Sequence, residues 1–158
     1  MASLVKSSGS FLVRPYESRD FQALRDMYLS FSPRGMFQGM PPPDDDACLR
    51  WIQGLLETGE NFLAWREGSV VGHGVILPDL DKKDAEYLVF VSRGERGKGV
   101  GTALTRAVLD HAAGLGLESV WLTVGAYNMR AARLYRKFSF RFLEEPGAGS
   151  ERTMVLTL

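Results

Sequence analysis

The spacing of apolar residues changes several times along the chain, and each change marks a predicted element. Short apolar runs bounded by glycine, proline or charged residues predict strands, whereas apolar residues three and four positions apart predict amphipathic helices. The predicted strands are Phe11–Pro15, Asn61–Arg66, Ser69–Leu77, Ala85–Val91, Ser119–Val124, Arg141–Leu143 and Thr153–Leu158. The predicted helices are one capped by Ser18 that carries Phe21 to Phe31, one capped by Asp44–Asp46 that carries Leu49 to Leu56, then Thr102–Leu115 and Met129–Phe138.

This order, β-α-α-β-β-β-α-β-α-β-β, predicts a mixed sheet with helices packed against it, an α/β (α+β) fold. Glu67-Gly68 separates two of the strands and predicts a tight hairpin. The segment Ser32–Asp46 holds four prolines and two glycines and is long for a simple connector, so we expect a functional loop there. The 158 residues contain no internal repeat, which predicts a single domain over 11–158 after a flexible, serine-rich tail over 1–10.

Charge and cysteine content narrow the functional classes. The 19 basic residues balance the 19 acidic ones, so no overall field favours nucleic acid or an anionic membrane. The apolar runs are far shorter than the ~20 residues of a membrane-spanning helix, and residues 1–10 lack the apolar core of a signal peptide. Cys48 is the only cysteine, which excludes an intramolecular disulfide and leads us to expect a reducing, cytoplasmic setting. We expect no metal.

The segment 86–102 carries the clearest chemical signal. An apolar strand runs into a loop with glycines at 94, 97, 99 and 101 and then directly into an amphipathic helix. Glycines let the backbone approach a ligand closely, and a helix start offers unpaired N–H groups that bind phosphate. Arg96 and Lys98 add positive charge. A Walker A loop is excluded because Gly99 follows Gly97-Lys98, and a dinucleotide fingerprint fails because neither glycine pair has its third glycine or alanine.

The pattern that remains, Arg-x-x-Gly-x-Gly over Arg96–Gly101, resembles the acetyl-CoA pyrophosphate loop of the GNAT superfamily of N-acetyltransferases. Downstream, a strand is followed by Asn128 and by a helix with Leu134-Tyr135 and a closing Phe138–Phe140, which is similar to the C-terminal GNAT motif. The resemblance is close over 86–143 and extends over Phe11–Leu77 only in element order. It implies about six to seven strands, splayed between the fourth and fifth, with about four flanking helices.

The resemblance also implies a role for each matching residue. The pantetheine arm of acetyl-CoA would lie between the splayed strands and pair with main-chain groups near Phe90 and Val91, as an added strand does. Asn128 would contact the arm, and Tyr135 would protonate the departing CoA thiolate. The implied cofactor contacts are Phe90, Val91, Arg96, Gly97, Lys98, Gly99, Val100, Gly101, Thr102 and Asn128.

These assignments have structural alternatives. Helical spacing puts Tyr135 on one face with Leu134 and Phe138, which is also the pattern of a core aromatic. Asn128 can act as the cap of the last helix. The basic residues of the last helix and of the strand after it predict a solvated face, and the resemblance implies that one or two of them reach the 3′-phosphate of CoA. They are Arg130, Arg133, Arg136, Lys137 and Arg141.

Two residues are candidates for the general base. Glu86 lies on the fourth predicted strand, where other GNAT enzymes place a catalytic carboxylate. His73 lies on a strand expected to face the acceptor, and an imidazole titrates near neutral pH. Either residue can instead have only a structural role. His111 is expected to pack or to lie on the surface.

The predicted function is transfer of an acetyl group from acetyl-CoA to a primary amine of a small molecule or protein. The expected partners are acetyl-CoA and this acceptor, with no nucleic acid and no membrane, and a homodimer stays open. Thr123 stands where some protein N-terminal acetyltransferases carry glutamate, which argues against that acceptor class, and Ser139 replaces a usual glycine. The alternative is a GNAT-fold module that binds acyl-CoA as a sensor without turnover; a generic nucleotide-binding domain is disfavoured by the failed motifs.

Overall fold

Seven strands form one sheet in the computed structural model, which describes residues 10–31, 34, 40–143 and 150–158. The strands are β1 (Leu12–Pro15), β2 (Glu60–Arg66), β3 (Ser69–Asp79), β4 (Asp84–Val91), β5 (Ser119–Gly125), β6 (Arg141–Phe142) and β7 (Glu151–Thr157). Their order in the sheet is β1-β2-β3-β4-β5-β7-β6. The β4–β5 pair is parallel, and the other neighbouring pairs are antiparallel.

The described residues form four α-helices, and the predicted order of elements is confirmed. The helices are α1 (Phe21–Leu29), α2 (Asp45–Thr58), α3 (Val100–Gly114) and α4 (Met129–Lys137). The expected mixed sheet of six to seven strands with four flanking helices is therefore correct. None of the helices in the described part of the chain is long and apolar enough to cross a membrane.

Buried side chains form two clusters, one on each face of the sheet. The first joins the sheet to α3 and α4 and includes Leu104, Val108 and Leu122. The second joins it to α1 and α2 and includes Leu24 and Ile52. Each such side chain contributes about 1.5–3 kcal/mol through burial, so the two clusters hold the helices on opposite faces.

Local chemistry explains two boundaries that the sequence predicted. Asp44 is the N-cap of α2, and its carboxylate accepts a hydrogen bond from the Ala47 N–H at 2.9 Å. Glu67 and Gly68 both adopt positive φ, 52° and 80°, as a two-residue hairpin of type I′ requires. Both predictions are confirmed.

The structure corrects two of the predicted helix starts. Ser18 does not cap α1; it begins a short 3₁₀ turn, Ser18–Asp20, in which Asp20 accepts the Glu17 N–H at 2.8 Å. Asp20 is also held by the guanidinium of Arg14 through contacts of 2.8 and 2.9 Å. The third helix begins at Val100, not at Thr102, because Gly99 at φ 90° already serves as its N-cap.

The C-terminal strands and the predicted loops differ from expectation in extent. The strand predicted over Arg141–Leu143 ends at Phe142, and β7 begins at Glu151. Ser139, where the resemblance implies a glycine, adopts φ 74°, a conformation that glycine takes without strain. Residues 1–9 of the predicted tail and positions 32, 33 and 35–39 of the predicted functional loop lie outside the described residues.

Candidate functional site

The sheet opens between its two parallel strands. The β4–β5 ladder contains only three pairs and ends where Glu86 faces Trp121. Beyond that pair β4 stays joined to β3 as far as Val91, and β5 stays joined to β7 as far as Gly125. One edge of each strand is therefore left without a strand partner along the gap.

The hydrogen-bonding phase of β4 decides which main-chain groups face the gap. The Ser92 N–H donates to the Val71 carbonyl at 2.9 Å, and the register is continuous from there to Asp84. Hydrogen-bonded and non-bonded pairs alternate in an antiparallel ladder. Phe90 therefore directs its N–H and C=O towards β3, whereas Val89 and Val91 direct theirs into the gap. Of the two predicted main-chain partners, this geometry favours Val91, and it adds Val89.

The glycine loop ends in an open helix start. Gly97 and Gly99 adopt φ of 79° and 90°, which residues with a side chain rarely take. The first intrahelical bond of α3 runs from the Ala103 N–H to the Gly99 carbonyl, and no side chain caps the helix. The N–H groups of residues 100–102 consequently have no partner within the helix and are available to an anion.

Cations converge on this helix start from α4 and from the loop. A Cβ added at Gly97 would lie 3.3 Å from a terminal guanidinium nitrogen of Arg130, so Arg130 lies against the loop. Burial lowers the pKa of Arg96, and the nearby charges of Arg93 and Arg130 lower it further. Like charges gathered in this way favour a bound anion, which would relieve their mutual repulsion.

Two contacts fix the loop in place. Arg66 on β2 forms an ion pair with Glu95, Nε to Oε1 at 2.7 Å, with both side chains mostly buried. Arg96 donates from its Nε to the Val91 carbonyl at 3.2 Å and lies over the Phe31 ring. Arg96 therefore contacts one of the carbonyls that face the gap.

The gap and the helix start open into a cleft of about 990 Å³. Nine of the predicted site residues line it: Phe90, Val91, Arg96, Gly97, Gly99, Gly101, Thr102, Asn128 and Tyr135. Four others do not: Lys98 is exposed, Val100 is buried, and Glu86 and His73 lie outside the lining. Three cations of α4, Arg130, Arg133 and Lys137, line the cleft as well.

Tyr135 is both a core aromatic and a lining residue of the cleft. It packs edge-on against Tyr87 and Phe140, with centroid separations of 6.5 and 5.8 Å. Burial raises the pKa of its phenol to about 12, so the hydroxyl stays protonated at any working pH. Among the described residues the hydroxyl has no hydrogen-bond partner, whereas that of Tyr87 pairs with Thr105 at 2.9 Å. Tyr135 can therefore donate a hydrogen bond to a ligand.

Glu86 belongs to the last β4–β5 pair, immediately before the two strands separate. Its neighbours on the flanking strands are Leu77 and Trp121. The side chain is half-buried, and it has no hydrogen bond or ion pair within the described part of the chain. Burial raises the pKa of this carboxyl, which makes the carboxylate a stronger base than an exposed glutamate.

His73 is fully buried between the sheet and α1 and has no access to the cleft. The Asn61 amide donates to the Leu55 and Gly59 carbonyls, which leaves its oxygen to accept from His73 Nε2 at 2.7 Å. The other ring nitrogen, Nδ1, then accepts from the Tyr28 hydroxyl at 2.6 Å. The imidazole is thus a neutral, fully satisfied structural group, and the prediction that it assists deprotonation does not fit this placement.

This burial makes His73 a source of acid sensitivity. Burial lowers its pKa from 6.5 to about 3, so between these values the unfolded chain binds a proton that the folded chain excludes. The stabilising contribution is complete above pH 6.5 and is lost as pH falls towards 3. From pH 7 to pH 5 we expect a loss of about 2 kcal/mol in the free energy of unfolding from this group alone.

Urea unfolding at both pH values measures this loss in the wild type and in His73→Gln. The variant should be less stable at pH 7 but should lose about 2 kcal/mol less between pH 7 and pH 5. Should the variant not fold, ¹⁵N chemical shifts of the wild-type imidazole provide the same test, because the neutral Nε2–H form should persist at pH 5. An imidazole that titrates near pH 6.5 would contradict the assignment.

Asn128 and His111 match their structural alternatives. Asn128 is the N-cap of α4, and its side-chain oxygen accepts the Ala131 N–H at 3.2 Å while the residue also lines the cleft. His111 contacts Glu60 at 2.8 Å and the ring of Phe62. The described residues include no cluster of three or more His, Cys, Asp or Glu that could hold a metal ion.

Sequence reasoning missed the residues that act across elements. Glu95 and Arg66 anchor the loop from 29 positions apart, and Thr105 donates to the Gly101 carbonyl at 2.7 Å while it pairs with Tyr87. Val89 is identified only by the phase of the β4 ladder. The sequence around such residues does not indicate their role, because the residue or strand that each of them contacts is distant along the chain.

This chain is similar to known acetyltransferases over part of its length. A sequence model of the acetyltransferase (GNAT) family matches residues 21–140. The chain is 30% identical over 100 residues to the spermine/spermidine N(1)-acetyltransferase of Bacillus subtilis (strain 168), over 58% of this chain and 66% of that protein. It is 39% identical over 85 residues to the mycothiol acetyltransferase of Thermobispora bispora, over 50% of this chain and 29% of that protein. The matches thus span less than two thirds of either relative.

Solved structures share the fold at low identity. The GNAT domain of S. lividans PAT superposes with a TM-score of 0.83 at 14% identity, over 100% of this chain and 96% of that one. The putative acetyltransferase yncA from Salmonella typhimurium, solved with its cofactor acetyl-CoA, gives a TM-score of 0.70 at 18% identity, over 93% of each chain. Because the family match extends over residues 21–140, well over half of the chain, this protein belongs to the acetyltransferase (GNAT) family.

Proposed function

We propose that this protein transfers the acetyl group of acetyl-CoA to a primary amine by direct attack. One arrangement carries the proposal: main-chain groups of β4 that have no strand partner lead along the gap to the open start of α3, and Tyr135 lines the same cleft. Anions favour a helix start, and an amide-bearing chain favours an open strand edge. The family and its named acetyltransferase members support the same activity.

The cleft residues fit an extended, phosphorylated cofactor. The amides of residues 100–102 would hold the pyrophosphate, with the Arg130 guanidinium beside them. Arg133 and Lys137 lie one and two turns further along α4 and line the same cleft, which supports them as the contacts of the 3′-phosphate. The main-chain groups of Val89 and Val91 would pair with the amides of the pantetheine arm. The Val91 carbonyl accepts a hydrogen bond from Arg96, so this bond must break before the carbonyl can pair with the arm.

The cofactor supplies an acetyl thioester, and the protein's own groups manage the protons. As the acceptor nitrogen bonds to the carbonyl carbon and the carbon–sulfur bond breaks, negative charge grows on sulfur. The Tyr135 hydroxyl would donate a hydrogen bond to that sulfur. Because the pKa of this phenol, about 12, lies above the ~8.5 of a thiol, the proton remains largely on Tyr135, which acts by stabilising the thiolate.

Glu86 is the base that the geometry supports better than His73. It lies beside the lower end of the gap, and its carboxylate is without a competing partner in the described residues. The excess proton of the acceptor nitrogen would pass to Glu86 through one water molecule, since Glu86 is outside the cleft lining. Without such a base, bulk water would have to receive the proton.

Free thiol release from acetyl-CoA tests the proposal directly. We expect release that requires both a primary amine and the folded protein, with one acetylated amine formed for each thiol. The same assay tests Glu86. In the wild type, protonation of the Glu86 carboxylate should lower kcat/KM at low pH, and this decrease should be absent in Glu86→Gln. Asp84→Asn, on the same strand, is the control and should keep the decrease. Tight binding of acetyl-CoA without amine-dependent release would instead favour an acyl-CoA sensor.

A further inference from the structure

The cleft has a wall that the cofactor contacts do not use. Alternate residues of β4 face opposite sides of the sheet, so Leu88 and Phe90 pack with the α1–α2 cluster while Val89 and Val91 pack with the α3–α4 cluster. Leu88 and Phe90 line the cleft together with Phe31 and Met40. We call these four side chains the apolar wall. An acceptor that approaches the gap from the α1–α2 face must contact it.

The apolar wall is rigid on its aromatic side. The Phe90 ring packs edge-on against Tyr28, Trp51 and Phe31, with centroids 5.8, 5.3 and 6.1 Å away. Edge-to-face aromatic contacts of this kind fix ring orientation beyond what burial alone does. The wall therefore presents a preformed hydrophobic surface to a ligand.

A second ammonium group of a ligand would find little negative charge near this wall, because Glu86, on the same face of β4 as Leu88, is assigned to the reacting amine. The acidic residues that line the cleft in the described part of the chain are Glu95 and Glu151. Glu95 is already paired with Arg66, and the Arg96 guanidinium lies over Phe31 at 5.7 Å. A ligand with two or more ammonium groups would have to desolvate its charges beside apolar side chains and a cation. Desolvation of a charge without a partner is costly, so the wall selects against polycations.

We propose that the acceptor is a monoamine whose single amino group is attached to an alkyl or arylalkyl body, rather than a polyamine. This inference rests on the proposed acetyl transfer and names its substrate class. The apolar body lies against Leu88, Phe90, Phe31 and Met40, and the amine reaches the gap near Glu86. Acceptors of the kind named by the Bacillus relative, spermine and spermidine, are the disfavoured class.

The sharpest test compares hexylamine with 1,6-diaminohexane in the thiol-release assay, because the two differ only in the second amino group. We expect kcat/KM to be at least about tenfold higher for hexylamine than for the diamine, even though the diamine offers two nucleophiles. The reason is that the second ammonium group would be desolvated at a partly buried site without a compensating charge. 2-Phenylethylamine should likewise exceed spermidine. Equal or higher kcat/KM for the diamine or spermidine would overturn this inference alone. Release with no amine would overturn the proposed function as well.

A charge placed in the wall tests its location. Leu88 is half-buried, so Leu88→Glu adds a carboxylate without emptying a core position. The ratio of kcat/KM for the diamine to that for the monoamine should rise about threefold to fivefold. This factor corresponds to the upper range of the interaction free energy of a partly exposed ion pair. Leu80→Glu, at an exposed turn outside the cleft, should leave the ratio unchanged. An unchanged ratio in Leu88→Glu, with CoA binding intact, would show that the acceptor does not contact this wall.

Discussion

Tyr135→Phe should lower turnover by about 10²–10³-fold, the usual loss when one hydrogen-bond donor to a developing negative charge is removed. The change keeps the ring that packs against Tyr87 and Phe140 and removes only the hydroxyl, which has no partner among the described residues. Stability and affinity for CoA should therefore hardly change. Steady-state kinetics should show equal losses in kcat and kcat/KM, because the hydrogen bond forms only as charge grows on sulfur.

The pH profile gives this prediction a second readout. Burial raises the pKa of Tyr135 to about 12, so the wild-type profile should show no loss of activity from this residue below about pH 11. Tyr16→Phe, on the β1–α1 connection and outside the cleft, is the matched control and should keep full activity. Full activity in Tyr135→Phe would reject the role of Tyr135 as hydrogen-bond donor to the sulfur. Unfolding or weaker CoA binding with turnover intact would instead make Tyr135 a packing residue only.

The second large effect concerns the glycine loop. In the wild type, CoA at 100 times its Kd should add about 2.7 kcal/mol to the free energy of unfolding. For a chain of this length that corresponds to a rise in Tm of about 5–10 °C. In the double variant Gly99→Val, Gly101→Val we expect this rise to disappear. Thermal melts with and without CoA, at one protein concentration, measure it.

The physical reason differs at the two positions. Gly99 adopts φ 90°, so valine there would reorient the free N–H groups at the start of α3. A Cβ at Gly101 would lie 3.2 Å from Leu134 and would narrow the space between α3 and α4. Gly54→Val, in α2 with nothing within 4 Å of its added Cβ, is the control and should keep the full shift. A normal CoA shift in the double variant would contradict the loop assignment.

The order of elements, the hairpin and two of the helix caps were readable from the sequence because each depends on nearby residues, whereas the predicted cap Ser18 was wrong. Asp44 and Asn128 cap helices through amides three positions away, and Glu67-Gly68 adopts the backbone that its hairpin needs. The glycine loop is local in the same sense, because φ preference and a helix start lie within a few residues of each other. Its match to a known family then implied the cofactor and the splayed strands.

Tertiary structure alone decided the roles on β4. Tyr-Leu-Val-Phe-Val over 87–91 is a continuous apolar run, so its sequence does not say which side chains face which helices. The register with β3 sets the phase that turns Val89 and Val91 into the gap and Phe90 away from it. The same packing makes Phe90 and Leu88 part of the apolar wall.

His73 and Tyr135 show the limit most clearly, because the sequence left a structural role and a catalytic role open for each of them. Helical spacing predicted a core role for Tyr135, and only the family resemblance implied its catalytic role. The position of His73 on its strand suggested either a base or a structural residue. Tyr28 and Asn61, 45 and 12 positions from His73, satisfy both ring nitrogens and leave it no free group. No described residue bonds the Tyr135 hydroxyl, and α4 holds it at the cleft. The sequence by itself determined which elements form and where the glycine loop lies, whereas partner side chains brought from distant elements decided which polar groups remain free to act.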